Sequence, residues 1–505
     1  MADNNNVSQT PTGDLASGSA QTESTTRANA RIDFCEGIIP QTYVIPSEAS
    51  TTAKSGLGDR VAIIGAFPKV SQNLEYYTNY RTACSGLEII NGVNDEYSEP
   101  SEEAIRSKNY FAGAGSLRYL FHSGTLDETV SSVLVCNYTT YATTTDTDGS
   151  ASLKCDPTTG ENVFDTGLEL SDDILEKLQP NEKERNNPET KMTKLDVALN
   201  QLKNEEFDIL LLAFAPTVND VKKIIAWERE VYTQSNPIGV VFGTSEKQLK
   251  VIKSIAGTST FTQNNDGLTT TSIVQSVVNG SVSESIDVSS VIDILNEFSK
   301  AKINRHENHT LYGCIPQGYK LAYEDKYLTP VESAAYYCGK IASLRVNKSM
   351  TNRLMDHVVD VNEDLVYTRT FTADNLSYYD SDGYKLVDAG ATMVRCTNRT
   401  SREYAVVNSQ QPCGLDLAHL RTTAYIVKRL GLKPYLGKLN NITNIDLITS
   451  RLSTVKNTLI GMFDILDSIE YSVERASKNC VKIYLRIVYY GILLNEVIYV
   501  SEEVI

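Results

Sequence analysis

The sequence is poor in the side chains on which most enzymes rely. It has five histidines, at 122, 306, 309, 357 and 419, and a single tryptophan, Trp227. Few groups therefore titrate near neutral pH. No G-x-x-x-x-G-K-[ST] loop and no G-x-S-x-G elbow occur, which removes the usual phosphate cradle and the usual exposed nucleophile. The nine cysteines (35, 84, 136, 155, 314, 338, 396, 413 and 480) are odd in number and contain no C-x-x-C pair. Several sit in apolar runs, as in Val133-Leu134-Val135-Cys136, and they read as buried free thiols of a protein made in a reducing cytoplasm. Positive charge is also scarce. Lys and Arg number 47 against 63 Asp and Glu, giving a net charge of -16, so wrapping of nucleic-acid phosphates is not expected. The acidity suits solubility of a large particle. Long hydrophobic runs are missing too. The most apolar stretch, 481–500, is broken by Lys482, Arg486, Asn495 and Glu496, so no direct membrane insertion is expected. Residues 1–30 are polar and do not read as a signal peptide.

What remains is a globular chain with 41% hydrophobic and 22% charged residues, long enough for two to four domains. Residues 1–30 read as a disordered polar tail. Residues 31–59 read as an extended arm, with Ile38, Ile39, Tyr43, Val44 and Ile45 between prolines. Residues 60–190 form a third segment. It holds a buried strand over 61–67, a short helix over 116–122, a strand over 132–138 and a polar insertion over 139–191. Asp148-Gly149 predicts a hairpin in that insertion, and 180–190 predicts an exposed loop.

Residues 191–345 carry the clearest α/β alternation. Leu195, Ala198, Leu199 and Leu202 make a helical stripe. Strands are expected over 207–214 and 238–242, with a helix over 218–232 between them in which Trp227 packs. Thr244 is expected to cap a helix bearing Leu249, Ile252 and Ile255. Thr329-Pro330-Val331-Glu332 marks a helix start, and Ala335, Gly339 and Ala342 form its small-residue stripe.

Residues 346–505 predict a C-terminal α+β domain. Asp382-Gly383 reads as a hairpin turn. A helix over 416–430 and a second carrying Ile445, Ile448, Leu452, Val455 and Leu459, opened by Asn444, pack on an antiparallel sheet. Its strands are the alternating Ile469, Tyr471, Val473 run, a strand over 481–487, and a terminal strand over 493–500. That last strand contains Leu493, Leu494, Val497, Ile498 and Val500.

Candidate chemical motifs are weak. Gly113-Ala114-Gly115 lacks the third glycine of a dinucleotide loop and reads as a turn. His306-Glu307-Asn308-His309 spaces its histidines three apart, not four, and reads as a solvated connector. Asp380-Ser381-Asp382-Gly383 starts like a calcium loop without the rest of the ligand pattern. No catalytic residue, cofactor or metal is expected. Two apolar terminal segments suit strand exchange with neighbouring chains or pairing within their own chain. On the helix near 420, Arg421, Tyr425 and Lys428 share one side, with Arg429 beside it. That side is a candidate contact with a partner or a solvated face whose cations favour a helix C-terminus.

The order of segments resembles the tail sheath proteins of contractile phage tails and related injection machines. The residues that carry the resemblance are Arg60-Val61-Ala62-Ile63-Ile64-Gly65-Ala66-Phe67-Pro68-Lys69, the helix–glycine–strand run over 117–136, and the strand over 207–214 with Ala215-Pro216. They continue through the helix over 328–342, Arg395-Cys396-Thr397-Asn398-Arg399-Thr400, and Leu417-Ala418-His419-Leu420-Arg421-Thr422-Thr423. The polar tail and the 139–191 stretch match nothing in that family. The resemblance implies a structural subunit, not an enzyme. Its expected partners are itself in stacked hexameric rings, a tail tube protein, and baseplate and tail terminator proteins. Its expected location is a virion tail or contractile particle assembled from cytoplasmic subunits. The resemblance also implies that terminal arms join neighbours; with a tube as partner, the side of Arg421, Tyr425, Lys428 and Arg429 is a candidate tube contact, the solvated face remaining the alternative. The alternatives are a soluble α/β enzyme or another virion structural protein.

Overall fold

The computed structural model describes residues 59–491 apart from 71–73, 90–110, 124–129, 131, 146–150, 158–161, 234–235, 246–249, 256–259, 263–281, 302–310, 363–381, 399, 431–440 and 478–479. Contacts divide the chain into a larger unit, Pro46–Lys428 with Tyr489–Ile505, and a smaller one, Arg429–Val488 with Met1–Ile45.

The larger unit is built on a six-stranded sheet. Its strands are β1 (Val61–Gly65), β2 (Glu75–Tyr77), β3 (Val133–Asn137), β4 (Ile209–Leu212), β5 (Gly239–Gly243) and β6 (Leu311–Ile315), in the order β6-β5-β4-β1-β3-β2. All neighbours are parallel except β2, which runs antiparallel along the edge on β3. The sheet draws strands from both sides of residue 190. Runs such as Val61-Ala62-Ile63-Ile64 and Ile209-Leu210-Leu211-Leu212 are continuously apolar because both faces are covered. Val61, Ile63, Ile209 and Leu211 point into one core, and Ala62, Ile64, Leu210 and Leu212 into the other. The first core is closed by α1 (Ala112–Phe121), by α5 (Pro330–Ser343) and by α6 (Leu417–Arg429). The second is closed by α2 (Lys194–Leu202), α3 (Val218–Thr233) and α4 (Ser289–Ala301). The result is a three-layer α/β sandwich.

Local signals explain most boundaries. In α2, Leu195, Ala198, Leu199 and Leu202 are all buried. In α5, Thr329 and Glu332 form a reciprocal capping box with Pro330 in the first turn. A side chain at Gly339 would overlap the Leu120 carbonyl of α1 and Ser123 just beyond its end. This glycine therefore sets how closely the two helices approach. Trp227 stacks on Phe207 at 6.4 Å, as its packing role predicts.

Several expectations need correction. The segment expected as a helix after Thr244 is a strand, Lys250–Ile255, paired antiparallel along six residues with Val282–Asp287. Val251, Ile252 and Ile255 are β-branched, and the ladder outweighs their helix-like spacing. Asp382-Gly383 opens a helix, Asp382–Asp388. Leu386 fills the second core, and Gly390, at φ +98°, closes the helix end in the left-handed conformation. Gly113-Ala114-Gly115 lies inside α1 rather than in a turn. In the insertion, Thr143–Thr145 and Ala151–Leu153 pair antiparallel around the expected hairpin, whose turn lies outside the described residues. The 180–190 stretch is exposed but contains one helical turn, Glu182–Arg185. Cys155 is exposed, unlike the buried Cys84, Cys136, Cys314 and Cys338.

The smaller unit contains α7 (Ile442–Met462), β7 (Leu466–Ser477) and β8 (Cys480–Tyr489) up to Val488. Asn441, not Asn444, caps α7; its side chain accepts from the Asn444 amide. Ile448, Leu452, Val455 and Leu459 form the buried face of α7. Phe463, Ile465, Leu466 and Ile469 are buried with them. β7 and β8 make a two-stranded sheet. Of the two helices expected against the terminal sheet, α7 belongs to this unit, whereas α6 lies in the larger one up to Lys428. No helix among the described residues is long and apolar enough to cross a membrane.

Candidate functional site

Helix α6 is amphipathic, but much of its polar side is turned inward. Its start is fixed by Asp416. Oδ2 accepts from Ser409 at 2.6 Å, Ser349 at 2.9 Å and Thr351 at 3.2 Å, while Oδ1 accepts from the Ala418 amide at 2.8 Å. Leu417, Leu420, Ala424 and Ile426 bury the apolar face.

Arg421 is 1% exposed, which for a guanidinium demands partners on every side. Its Nε donates to Asp59 Oδ2 at 2.7 Å, Nη2 to the Leu344 carbonyl at 2.8 Å and Nη1 to the Arg345 carbonyl at 3.4 Å. The Asp59 amide in turn donates to the Ala342 carbonyl at 3.0 Å. Two turns along α6, Lys428 Nζ donates to Asp208 Oδ1 and to the Phe207 carbonyl, each at 2.6 Å. Asp208 Oδ2 accepts from the Arg60 amide at 2.8 Å. Two cations of one helix thus grip two carboxylates where the chain enters β1 and β4. Burial pushes the Asp59 carboxyl up to about 6; Arg421 and Lys428 oppose the rise and Asp208 adds to it.

The other side of α6 holds Tyr489 and Tyr490, which also belong to the larger unit. His419 Nε2 lies 3.1 Å from the Tyr490 carbonyl. A carbonyl only accepts, so Nε2 is the donor. The Nδ1 atom is buried without a partner. The His419 and Tyr489 rings lie 4.8 Å apart, and the Thr423 and Tyr489 hydroxyls share a hydrogen bond of 2.5 Å.

The expected basic face of α6 is therefore not one open surface. Arg421 is buried in an ion pair and presents no charge to a partner, which corrects that part of the expectation. Lys428 is spent on Asp208. Tyr425 and Arg429 are half-buried. Periodicity placed Arg421 and Lys428 on one side correctly, but it could not show that the acids facing them come from residues 59 and 208. The arm residues Ile38, Ile39, Tyr43, Val44, Ile45, Leu493, Leu494, Val497, Ile498 and Val500 lie outside the described residues, as do His306 and His309.

The sheet reverses its winding between β1 and β4, where open α/β sheets usually bind ligands. Beside that point β1, β4 and α1 pack closely. A Cβ on Gly65 would sit 2.9 Å from the Ala213 Cβ, and one on Gly113 2.5 Å from the Ala66 carbonyl oxygen. The glycines of Gly113-Ala114-Gly115 serve close packing of α1 on β1. No group of three or more His, Cys, Asp or Glu placed to hold a metal ion occurs among the described residues.

No family model matches the chain, and no curated protein matches it. Among solved structures it is similar to a sheath tail protein from Desulfitobacterium hafniense, at 10% identity and a TM-score of 0.45, covering 86% of this chain and 97% of that one. It is similar to a sheath tail protein from Listeria innocua, at 10% identity and a TM-score of 0.46, covering 88% and 98%. It is also similar to the helical sheath of the anti-feeding prophage in its contracted state, at 10% identity and a TM-score of 0.47, covering 92% and 99%.

Proposed function

We propose that the chain is a structural, non-catalytic subunit of a contractile tail sheath. In this reading it polymerises as stacked hexameric rings around a tail tube and contracts to drive the tube through a cell envelope. The observation that carries the proposal is the sheet of the smaller unit. β7 and β8 span 12 and 10 residues, yet among the described residues they pair only with each other. Two-stranded sheets are marginal in water, and their open edges template further strands. α7 covers one face but satisfies no edge. The proposed occupants are the apolar segments 38–45 and 493–500 of neighbouring copies, which have the length and composition of strands. The ordered run of sheath-like motifs along the chain supports the same reading. The partners in this reading are further copies of the chain, the tube protein, and baseplate and terminator proteins; the location is a virion tail or similar particle.

Removal of residues 1–46 tests it. The full chain is expected to form hollow striated tubes by electron microscopy. The truncated chain is expected to stay folded and soluble and to form none. Normal tubes from the truncated chain would remove the arm from the mechanism, and a small closed oligomer of the full chain would remove the sheath.

A further inference from the structure

The roots of both terminal extensions end on one helix. Residues 59 and 60 are held by Arg421 and, through Asp208, by Lys428; residues 489 and 490 are held by His419 and Thr423. His419 and Thr423 are four apart and share a face, tied by a 2.9 Å bond from the Thr423 hydroxyl to the His419 carbonyl. Arg421 is two residues from each, and so is turned about 200° away around the helix. The two roots thus grip roughly opposite sides of α6.

We infer that α6 is a shared anchor that couples the two roots, so that loosening one loosens the other while the six-stranded sheet stays intact. The physical reason lies in the buried guanidinium. Once Asp59 leaves, Arg421 has only the Leu344 and Arg345 carbonyls as partners at a position 1% exposed, and an unpaired buried charge is relieved by movement toward solvent. A helix shifts as a hydrogen-bonded rod, so that movement displaces His419 and Thr423 as well. Those two make short, directional contacts to Tyr489 and Tyr490, and such contacts fail with small displacements. The coupling is a property of one chain and does not depend on the sheath reading.

Hydrogen exchange on the purified full chain tests it. The Asp59 and Arg60 amides, bonded to Ala342 and Asp208, report the first root. Peptides over 486–491 report the second. Amides of β1 and β4 serve as the control. Asp59→Asn keeps the size of the side chain and removes its charge. It is expected to speed exchange at 486–491 on the order of tenfold, the scale of coupling between residues of one network, with β1 and β4 unchanged. The double variant His419→Gln, Thr423→Val leaves the buried charges in place and is expected to speed exchange at Asp59 and Arg60. Effects in both directions support the anchor. Exchange that rises only at the substituted root, in either variant, overturns it. If Asp59→Asn opens the sheet as well, the double variant decides alone. Tube formation is not read in this experiment, so its failure and failure of the sheath proposal remain separate.

Discussion

Asp59 and Arg421 stand 362 positions apart in sequence and 2.7 Å apart in space. Arg421, 1% exposed, is buried like the core aliphatics. Replacing it by Met leaves the Asp59 carboxylate buried without its cation. The expected loss is about 3–5 kcal/mol in denaturant unfolding, and the Asp59→Asn, Arg421→Met double variant should lose less than the sum of the singles. Charge reversal at Arg421 is therefore a change to the fold and not to a surface. Asp59 also predicts a pH dependence. Its carboxyl is raised from 3.8 to about 6 in the folded chain, so between those values the folded state binds more protons than the unfolded one. Its contribution is fully present below about 4, falls as pH rises towards 6 and is flat above that. Urea midpoints of the wild type and Asp59→Asn between pH 4 and 7 check this. The wild type should lose roughly 2–3 kcal/mol across that window relative to the variant, and parallel curves would contradict the assignment.

Individual elements were legible to different degrees. The start of α5 was readable because Thr329, Pro330 and Glu332 act on their own backbone, and such capping needs no tertiary partner. Thr329→Ala is expected to cost about 1 kcal/mol, seen as a lowered urea midpoint at constant slope. Gly339→Val is expected to cost about 1–3 kcal/mol, because the added methyls meet Leu120 of α1 and Ser123 just beyond its end. Gly461 of α7 has open space around it, so Gly461→Ala should be neutral to slightly stabilising. Two elements differ from their sequence reading, the strand Lys250–Ile255 and the helix Asp382–Asp388, the second because Asp382-Gly383 is also a turn signal. Both are short, and a short apolar run fits either period. The antiparallel partner at Val282–Asp287 settles the first. Burial of Leu386 and the left-handed Gly390 settle the second.

For the whole molecule, the proposed function makes contraction a change of contacts between subunits. The two cores flanking the six-stranded sheet are closely packed and resist continuous deformation. Extended and contracted particles should therefore superpose within this unit and differ in their terminal segments, as measured by cryo-electron microscopy. Depletion of nucleotide or chelation of metals should leave contraction intact. The sequence by itself determined the class of the larger unit, because strands buried on both faces must be continuously apolar and helices covering them must carry a stripe. The alternation within β7 and β8 was legible in the same way. The strand order, the close approach of α1 to β1 at Gly65 and Gly113, and the fate of the cations on α6 emerge only on folding. A helical period shows which residues share a side. It carries no information about what faces that side, because the opposing groups, here Asp59 and Asp208, are brought there by the folding of distant chain.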